Sequence, residues 1–494
     1  MDILISVYNK EGLLDFLKNL NLRDHKIYAS GGTFRYLREN GIEGINSSEL
    51  TGFEDLLQGR VKTLHPAIFS GILSRDDDSD RKDMDAHGFP LFDMVICNLY
   101  PFDKHADGGD IHGMIENIDI GGVSLIRAAA KNNARVTVIV EASDYNIVRD
   151  EISSTGKISE NTRRKLAVKA FELTSAYDSM ISRSLANEYH LQTDGFSLML
   201  RGGKKLRYGE NPDQEGYIYP IPGTGKWKVE HGKEMSYNNY LDASSALETC
   251  DDFDEPTAVV VKHNTPCGVA SSDSMPHALI NAINSDRESA YGSVICVNRE
   301  FDLGCAQNMK DLFVEVIMAP SFSAEALEII SKKKNLRIVT YEKGQNRLRM
   351  RSIYNAMLVQ TLQDTPLDDV KTVSGNVDGD LMNDLLFAWK VVAHCRSNAM
   401  VLAKNRKTVG IGAGQTSRVE ALRIAISKSS GECKGSALAS DAYLPFADNV
   451  ELTAANGISG IIQPGGSIRD GEVIGACQKS GIGMVFTGKR VFLH

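Results

Sequence analysis

Apolar positions in the first 150 residues come in short runs that alternate with helical spacing. Residues 3–5 (ILI) and 27–29 (IYA) predict buried strands, and the patterns EGLLDFLKNL and FRYLREN that follow them predict helices. Two further runs, 94–97 (MVIC) and 136–140 (VTVIV), stand on either side of the helical stretch SLIRAAAKN. Because buried strands that alternate with helices form parallel sheets, this part of the chain predicts a parallel α/β domain.

The pattern changes near residue 195, where a helical stretch over 161–190 gives way to sequence rich in Gly, Pro and Tyr. We expect one domain over 1–195 and a second α/β region over 196–494, which we divide near 365 although no sequence repeat is readable. Residues 74–88 show no apolar periodicity and predict a solvated loop. In the second region, strands are predicted at 258–261, 293–297, 400–402, 409–411, 437–440 and 458–462, and helices at 275–283 and 418–427.

Composition and charge narrow the class of protein. Of 494 residues, 42% are hydrophobic and 24% charged, as in ordinary globular proteins of more than one domain. A net charge of −9 argues against nucleic acid as a partner, because binding a phosphate backbone needs a basic surface. The first residues do not resemble a signal peptide, no apolar run has the length of a membrane span, and the eight cysteines include no C-x-x-C pair. We therefore expect a cytoplasmic protein without membrane contact.

Two segments of the first domain have the residues of an anion site. SGGT at 30–33 stands between a predicted strand and a helix, where glycines permit close approach and the helix N–H groups favour a phosphate. The alternative is a tight turn in which Thr33 caps the helix. In GRVKTLHP, the side chains of Arg60 and Lys62 point the same way if the segment is extended, and together they could bind an anion. The alternative is a solvated basic patch.

A second polar set in the first domain suits proton transfer. Tyr100 directly follows the predicted strand at 94–97, and ligand groups gather at such strand ends in α/β sheets. Asp119 in IDIGG and Lys131 in RAAAKN would tune proton transfer if they converge with it. Spacing leaves open whether the three side chains meet, and a single tyrosine at such a place is also typical of packing.

In the second region, an apolar strand ends in Lys262, His263 and Asn264. A histidine at a strand end can act as a general base, and a neighbouring ammonium favours its neutral form; a capping histidine is the structural alternative. Pro266 and Cys267 match half of a zinc-deaminase motif, but the second cysteine is missing, so we expect no zinc. GIGAG at 410–414 lacks the spacing of a dinucleotide fingerprint and predicts a βα turn near a ligand.

The whole chain resembles the family of bifunctional purine biosynthesis proteins that join IMP cyclohydrolase to AICAR transformylase. The resemblance rests on segments that occur in the family's order: SGGT, SELTGF, GRVKTLHP, CNLYPF, IDIGG, RAAAKN, LRYGENP, SYNN, VKHN-PCG, GIGAGQ-SR and SDAYLPF. It implies formyl transfer from 10-formyltetrahydrofolate to AICAR in the C-terminal region, giving FAICAR, and dehydrative closure of FAICAR to IMP in the N-terminal domain. It also implies a methylglyoxal-synthase-like first domain, two cytidine-deaminase-like units after it, a homodimer with transformylase sites across its interface, and a structural potassium ion near Asp441 and the C-terminus.

The resemblance also assigns roles to single residues. His263 would be the general base of formyl transfer, Lys262 would tune it or stabilise developing charge, and Asn398 would orient the formyl group or the histidine. The oxyanion, the proton movements and the loss of water in cyclisation would fall to Lys131, Tyr100 and Asp119. The implied substrate-binding residues are Ser6, Lys10, Ser30, Gly31, Gly32, Thr33, Arg60, Lys62, Thr63, Asn98, Arg207, Tyr208, Gly292, Arg418, Tyr443, Pro445, Phe446 and Arg490.

The chain departs from the family's pattern at several positions. Tyr8 stands where a small residue is common, Asp213 replaces a histidine, Ser293 ends SAYGS in place of SAFGG, and Asn and Thr are exchanged in KHNTPCG. Parts of the sequence are also compatible with two other functions: a nucleotide-binding regulatory module built on the first domain, and a dehydrogenase built on 410–414. Turnover would exclude the first, and failure to bind NAD(P) would exclude the second.

Overall fold

Each of the two units in the computed structural model, Met1–Gly202 and Gly203–His494, is built around its own β-sheet. The structure describes all residues except 21–24, 54–56, 58–60, 62, 101, 103–110, 193, 222–223, 345–347, 363–364, 366 and 368. The boundary predicted near residue 195 falls in the last part of the first unit, and the predicted domain limits stay a prediction. No helix among the described residues has both the length and the apolar character needed to cross a membrane.

The first unit has a parallel sheet of five strands in the order β3-β2-β1-β4-β5. The strands are β1 (Asp2–Ser6), β2 (Lys26–Ala29), β3 (Ile45–Asn46), β4 (Met94–Cys97) and β5 (Thr137–Ile139). The described helices are α1 (Leu13–Lys18), α2 (Gly31–Glu39), α3 (Ser47–Thr51), α4 (Pro66–Leu73), α5 (Asp78–His87), α6 (Ile111–Glu116), α7 (Gly121–Lys131), α8 (Tyr145–Thr155) and α9 (Glu160–Glu188). The predicted parallel α/β architecture is therefore confirmed.

Continuous apolar runs explain why this sheet lies inside the unit. Successive residues of a strand point to opposite faces, and Ile3, Leu4 and Ile5 of β1 all have no exposed surface. Both faces of the strand are therefore covered. Helix α7 contacts β4 and helix α9 contacts β5, so the helical patterns predicted around these strands supply part of that cover.

The prediction of a loop over residues 74–88 is wrong, because helix α5 occupies most of this segment. The side chain of Asp77 caps the helix by accepting a hydrogen bond from the backbone N–H of Asp80 (2.9 Å), and Gly88 ends it at φ 63°. Met84 is the one buried residue of the helix. A surface helix of this kind has no apolar face, so its sequence shows no periodicity.

The second unit has a mixed sheet of twelve strands in the order β16-β21-β20-β19-β17-β18-β10-β9-β11-β12-β13-β8, and two separate strand pairs, β6-β7 and β14-β15. The strands are β6 (Lys204–Lys205), β7 (Tyr217–Ile218), β8 (Lys226–His231), β9 (Thr257–Lys262), β10 (Thr265–Ser271), β11 (Ser293–Val297), β12 (Val314–Ala319), β13 (Arg337–Glu342), β14 (Leu348–Ile353), β15 (Ala356–Thr361), β16 (Lys371–Ser374), β17 (Met400–Lys404), β18 (Lys407–Gly412), β19 (Ala437–Ser440), β20 (Gly460–Gln463) and β21 (Gly483–Phe486). The described helices are α10 (Tyr237–Asp251), α11 (Met275–Ser285), α12 (Leu303–Asn308), α13 (Ala324–Ile330), α14 (Gly379–Val392), α15 (Arg418–Lys428), α16 (Asp448–Ala455) and α17 (Asp470–Ser480).

The strand order divides this sheet into two halves that repeat each other. From the middle outward, the first half runs β10-β9-β11-β12-β13-β8 and the second runs β18-β17-β19-β20-β21-β16. In both halves the successive pairings are antiparallel, antiparallel, parallel, parallel and antiparallel. Strands β10 and β18 join the halves. The two-part organisation expected for this region is visible in the strand order, whereas its cytidine-deaminase-like character stays a prediction.

Corresponding glycines show that the repeat extends to the packing of helices on strands. A Cβ on Gly268 in β10 would collide with the carbonyl oxygen of Ala282 in α11, and one on Gly410 in β18 would collide with that of Ala425 in α15. Glycine at these two positions lets each helix approach its strand. Gly410 is thus a strand residue. The strand predicted at 409–411 is therefore confirmed, whereas the turn predicted over 410–414 begins only after β18 ends at residue 412.

Candidate active sites

The C-terminal ends of the parallel strands gather polar residues at one edge of the first sheet. Ser6 is the last residue of β1 and Ser30 follows β2, and their hydroxyls lie 3.1 Å apart. After β4, the Asn98 side chain accepts hydrogen bonds from the backbone N–H groups of Tyr8 (2.7 Å) and Asn9 (3.0 Å). A cavity of about 900 Å³ opens here, lined in part by Tyr8, Lys10, Asn98, Leu99 and Glu141. The structure therefore places several predicted binding residues where ligands of α/β sheets commonly lie.

The SGGT segment forms the start of α2. Ser30 has an extended backbone at the N-cap position, and a Cβ on Gly32 would meet nothing within 4 Å, so space is open beside the helix start. Thr33 lies inside the helix, where its hydroxyl exchanges hydrogen bonds with the backbone N–H and carbonyl of Val7, each 3.1 Å long. The alternative role of Thr33 as helix cap is therefore wrong. The first N–H groups of a helix have no intrahelical partner, which suits an anion at this open side.

Two further predicted residues lie close to these strand ends. Thr63 is 5% exposed, and a Cβ on Gly121 would lie 2.7 Å from its hydroxyl, so the hydroxyl faces the start of α7. The Lys10 ammonium donates a hydrogen bond to the carbonyl of Tyr8 (3.3 Å) and lies 5.6 Å from the centre of the Tyr36 ring. The predicted Arg60 and Lys62 lie outside the described residues.

Asp119 and Tyr100 form a pair of titratable groups near the start of α7. Burial raises the pKa of Asp119, although its carboxylate accepts hydrogen bonds from the backbone N–H groups of Gly122 (2.7 Å) and Tyr100. The pKa of Tyr100 is also raised, first by burial and then by the negative charge of Asp119. The ring of Tyr8 lies 5.1 Å from the ring of Tyr100, so this departure from the family's pattern packs directly on a candidate catalytic group.

Helix α7 separates Lys131 from Asp119. Asp119 precedes Gly121, the first residue of the helix, whereas Lys131 is the last of its eleven residues and is exposed. At about 1.5 Å per residue the helix is roughly 16 Å long, which is more than a lysine side chain spans. The expectation that Lys131 converges with Tyr100 and Asp119 is therefore wrong within this unit.

Tyr177, on α9, is a further residue of this site that was not among the predicted ones. Its hydroxyl accepts a hydrogen bond from the backbone N–H of Asp119 (2.9 Å) and donates one to the carbonyl of Asn117 (3.2 Å). Burial raises the pKa of Tyr177 to about 12, so the hydroxyl keeps its proton at neutral pH and fixes the backbone that carries Asp119. In the sequence, Tyr177 is one of several buried positions in a long helical pattern, and no local signal distinguishes it from a packing residue.

The predicted strand end in the second unit is a hairpin turn. Lys262 of β9 pairs with Thr265 of β10, and both residues between them have left-handed backbones, with φ 51° at His263 and 61° at Asn264. Two-residue turns with positive φ match the twist of antiparallel strands. The side chain of His263 is exposed. The exchanged order in KHNTPCG places Asn264 at a left-handed position, which asparagine tolerates well.

Lys262 is held next to the predicted binding residue Gly292. Its ammonium donates a hydrogen bond to the carbonyl of Tyr291 (2.8 Å), the residue before Gly292. Gly292 has φ 74° and donates its backbone N–H to the carbonyl of Phe313 (2.8 Å). The departure at Ser293 is buried, and its hydroxyl donates to the carbonyl of Ala290 (2.8 Å), so the serine leaves no unpaired hydroxyl here.

The turn contacts the loop that carries Asn398. In the orientation of the Asn264 amide that satisfies both of its polar atoms, the oxygen accepts from the Arg396 guanidinium (3.1 Å) and the nitrogen donates to the carbonyl of Leu241 (3.1 Å). The Asn398 side chain donates to the carbonyl of Gln415 (2.9 Å), and the backbones of these two residues exchange hydrogen bonds. The turn belongs to the first half of the sheet and the loop to the second, so this candidate site lies where the halves meet.

A buried ion pair supports the start of β17. Asp441 has no exposed surface, and its carboxylate accepts hydrogen bonds from the Arg418 guanidinium (3.3 Å) and the backbone N–H of Ala399 (3.1 Å). Burial raises the pKa of Asp441, whereas the Ser397 hydroxyl and the positive charge of Arg418 act in the opposite direction. The predicted binding residue Arg418 is therefore oriented by a carboxylate.

Aromatic rings accompany the other predicted arginines. The guanidinium carbon of Arg490 lies 4.6 Å from the centre of the Phe492 ring, and that of Arg418 lies 5.6 Å from the same ring. Arg207 stacks on Tyr208 (4.6 Å) and donates to its hydroxyl (2.6 Å). The hydrogen bonds and ring contacts found among the described residues do not join Arg207 and Tyr208 to the turn at His263.

Phe446 and its neighbours form an exposed patch. The rings of Tyr443 and Phe446 are 43% and 48% exposed, Pro445 between them is half-buried, and the Arg469 guanidinium carbon lies 4.9 Å from the Phe446 ring centre. Such exposed rings suit stacking on a flat heterocycle.

Cys267 has the properties of a packing residue. Burial raises the pKa of its thiol to about 12, and the sulfur donates to the carbonyl of Val260 (3.5 Å). A cysteine binds zinc as its thiolate, and this environment disfavours the thiolate of Cys267. Across the described part of the chain, no three His, Cys, Asp or Glu side chains are grouped so that they could hold a metal ion.

Comparisons with known proteins cover both units. Residues 129–428 match the AICARFT/IMPCHase bienzyme family, and residues 12–124 match the MGS-like domain family. The chain is 45% identical to the bifunctional purine biosynthesis protein PurH of Persephonella marina over 99% of both chains. It is 43% identical to the PurH protein of Aquifex aeolicus over the full length of both, and 42% identical to that of Bacillus subtilis over 99% of both. The solved structure of ForH covers 37% of this chain and 98% of its own, at 32% identity and a TM-score of 0.35.

Proposed function

Because the chain belongs to the AICARFT/IMPCHase bienzyme family, we propose how its two units divide the two reactions of that family. The chain is an AICAR formyltransferase and an IMP cyclohydrolase of purine biosynthesis, so the regulatory module and the dehydrogenase are set aside. The match over residues 12–124 confirms the methylglyoxal-synthase-like character expected of the first domain. We assign formyl transfer to the second unit, with 10-formyltetrahydrofolate as cosubstrate, and cyclisation to the first.

The observation that carries the first assignment is the exposed imidazole of His263 on a fixed turn beside the Asn398 loop. The amine of AICAR is a weak nucleophile, because its lone pair is delocalised into the ring and the carboxamide. In this proposal His263 removes the amine proton while the nitrogen attacks the formyl carbon, and Asn398 orients the formyl oxygen. The ammonium of Lys262 stabilises the oxyanion that forms. The bond from the formyl carbon to N10 of the folate then breaks, and N10 takes up a proton.

We propose that the nucleotide in this unit is bound by the arginines that lie against aromatic rings. A guanidinium can bind a phosphate through two parallel hydrogen bonds, and Arg207, Arg418 and Arg490 each lie against an aromatic ring that limits their motion. We assign Tyr443, Pro445 and Phe446 to contacts with the folate or the nucleotide ring.

We further propose a homodimer in which Arg207 and Tyr208 of one copy complete the site of the other. Sedimentation of the purified chain as a monomer would contradict this.

Cyclisation is assigned to the pair Asp119 and Tyr100. The carboxamide nitrogen of FAICAR attacks the formyl carbon of the same molecule, so holding the reacting atoms together accounts for much of the rate. Asp119 accepts the proton that this nitrogen loses and returns it to the oxyanion, which becomes a hydroxyl. Tyr100 protonates that hydroxyl as the C–O bond breaks and water leaves, and the tyrosinate takes the proton of the former formamide nitrogen as the ring C=N bond forms. The start of α2 at residues 30–33, together with Ser6, would hold the phosphate. Lys131 receives no role here, because α7 keeps it away from Asp119.

The potassium ion expected near Asp441 does not fit the contacts of this carboxylate. One oxygen accepts from the Arg418 guanidinium and the other from the backbone N–H of Ala399. A second cation would lie beside Arg418 and would be repelled by it, so no step is assigned to the ion.

For location we infer the cytoplasm, since all eight cysteines are free and seven of them are buried.

Two variants test the assignment of formyl transfer to the second unit and of cyclisation to the first. With AICAR and 10-formyltetrahydrofolate as substrates, His263→Ala should stop FAICAR formation but still convert supplied FAICAR to IMP. Asp119→Asn should do the reverse. In the unmodified enzyme, IMP formation from FAICAR should fall as pH falls through the raised pKa of Asp119, because only the ionised carboxylate accepts a proton. Loss of both activities in a folded His263→Ala variant would contradict two separate sites.

A further inference from the structure

The turn that carries His263 is held by a carboxylate from the helix that precedes it. Asp242 of α10 accepts a hydrogen bond from the backbone N–H of Asn264 (2.5 Å), and its carboxylate also accepts from the backbone N–H of His263. Both turn residues have left-handed backbones, which asparagine adopts readily but which is strained for His263 unless its surroundings stabilise it. Asp242 enforces this conformation, because it binds both amides of the turn at once.

The second half of the sheet has the same arrangement. Asp384 of α14 accepts from the backbone N–H groups of Asn405 (2.9 Å) and Arg406 (2.7 Å), which have φ 53° and 54°. Each aspartate stands five residues after the start of its helix (242 − 237 and 384 − 379) and 22 residues before the second amide that it binds. The aspartate therefore belongs to the repeated fold, but the first exposed residue of the turn is His263 in one half and Asn405 in the other.

We propose that Asp242 is a positioning residue for formyl transfer: by fixing the backbone of the turn, it sets the direction of the His263 imidazole. This rests on the role proposed above for His263. The hydrogen bonds found for Asp242 go to backbone amides, so its effect on the reaction is transmitted through the turn. A displacement of about 1 Å at a reacting group can cost on the order of 100-fold in rate. Such a loss falls on kcat rather than on KM.

The experiment compares Asp242 with its counterpart in the other half. Asp242→Ala should lower kcat for formyl transfer by about 100-fold and leave KM for AICAR nearly unchanged. Asp242→Asn should recover much of that loss, because the amide oxygen still accepts a hydrogen bond from the turn. Asp384→Ala removes the same kind of contact from a turn without histidine. It should lower the melting temperature to a similar extent and leave kcat for formyl transfer unchanged. IMP formation from supplied FAICAR should be unchanged in all three variants.

The outcomes distinguish failure of this proposal from failure of the proposed role of His263, on which it rests. Equal losses of kcat in Asp242→Ala and Asp384→Ala would mean that both aspartates only support the fold, and would overturn the proposal. Full formyl transfer by Asp242→Ala would overturn it as well. If Asp242→Ala fails to fold, Asp242→Asn is compared with Asp384→Asn: the residual loss of kcat expected for Asp242→Asn should be absent from Asp384→Asn, and equal kcat values in the two variants would overturn the proposal. Normal formyl transfer by His263→Ala would instead remove the role of His263 itself.

Discussion

The two halves of the sheet in the second unit have the same hairpin and the same aspartate beneath it, yet their turns present different groups. The first turn presents His263. In the second, Asn405 takes the corresponding place, and the next residue, Arg406, is engaged by Glu255 (2.7 Å) and Asp273 (3.3 Å). A feature that both halves share supports the fold, whereas a feature of one half alone is a candidate for function. The repeat thus supplies a control within the same molecule.

A second difference lies where corresponding strands begin. Asn298, after β11, accepts the backbone N–H of Thr257 (2.8 Å), and Asp441, after β19, accepts that of Ala399 (3.1 Å). Of the two, only Asp441 carries a charge, and Arg418 is its partner. The fold needs an acceptor at this place, but it does not need an ion pair. The charge of Asp441 is therefore explained better by the need to hold Arg418 than by the architecture.

The largest effect predicted from this comparison concerns the turn. His263→Asn gives the first turn the residue type of the second and should slow formyl transfer about 100- to 10,000-fold, the usual contribution of a general base. Stability should change little, since asparagine accepts a left-handed backbone. Rates of FAICAR formation measure this effect, with Asn405→Ala as the control that should keep the normal rate. Comparable rates in the two variants would show that the imidazole is not what distinguishes the halves.

The next effect concerns the ion pair. Arg418→Met leaves the buried Asp441 without its cation and should lower the free energy of unfolding by about 3–5 kcal/mol. The loss should grow as pH rises through the raised pKa of Asp441, because the folded state then holds an unpaired charge. Urea unfolding at two pH values measures both effects. The double variant Arg418→Met with Asp441→Asn copies the neutral arrangement at Asn298 and should recover most of the stability. A double variant no more stable than Arg418→Met would mean that the halves are not equivalent here.

The positions of candidate site residues could be predicted from the sequence where those residues directly follow a predicted strand. The run at 94–97 predicted β4, and the end of that strand carries Asn98 and Tyr100 to the edge of the sheet. The same reasoning failed for Lys131, since the length of a helix, rather than nearness in sequence, decides whether Asp119 and Lys131 meet. Tyr177 could not be found at all. Its contact with Asp119 depends on how α9 packs, which periodicity does not specify.

The two-part organisation of the second unit was expected, but no repeat could be read in its sequence, for a related reason. Corresponding positions keep few identities, such as Lys262 and Lys404, and the two aspartates and two packed glycines stand far apart along the chain. Considered alone, each of these residues has a local structural role that needs no repeat to explain it. Only the strand order shows that they occupy equivalent places, because equivalence is defined by pairing across the sheet rather than by composition.

The smallest predicted effect tests whether a shared feature can also serve the reaction. Lys262 donates to the carbonyl of Tyr291 (2.8 Å), and Lys404 donates in the same way to the carbonyl of Lys434 (2.9 Å). Lys262→Met and Lys404→Met should therefore each lower the free energy of unfolding by about 1 kcal/mol. If the ammonium also stabilises the oxyanion, only Lys262→Met should slow formyl transfer. Equal unfolding losses with normal rates in both variants would place Lys262 with the scaffold and leave His263 and Asn398 as the groups proposed to act on the substrate.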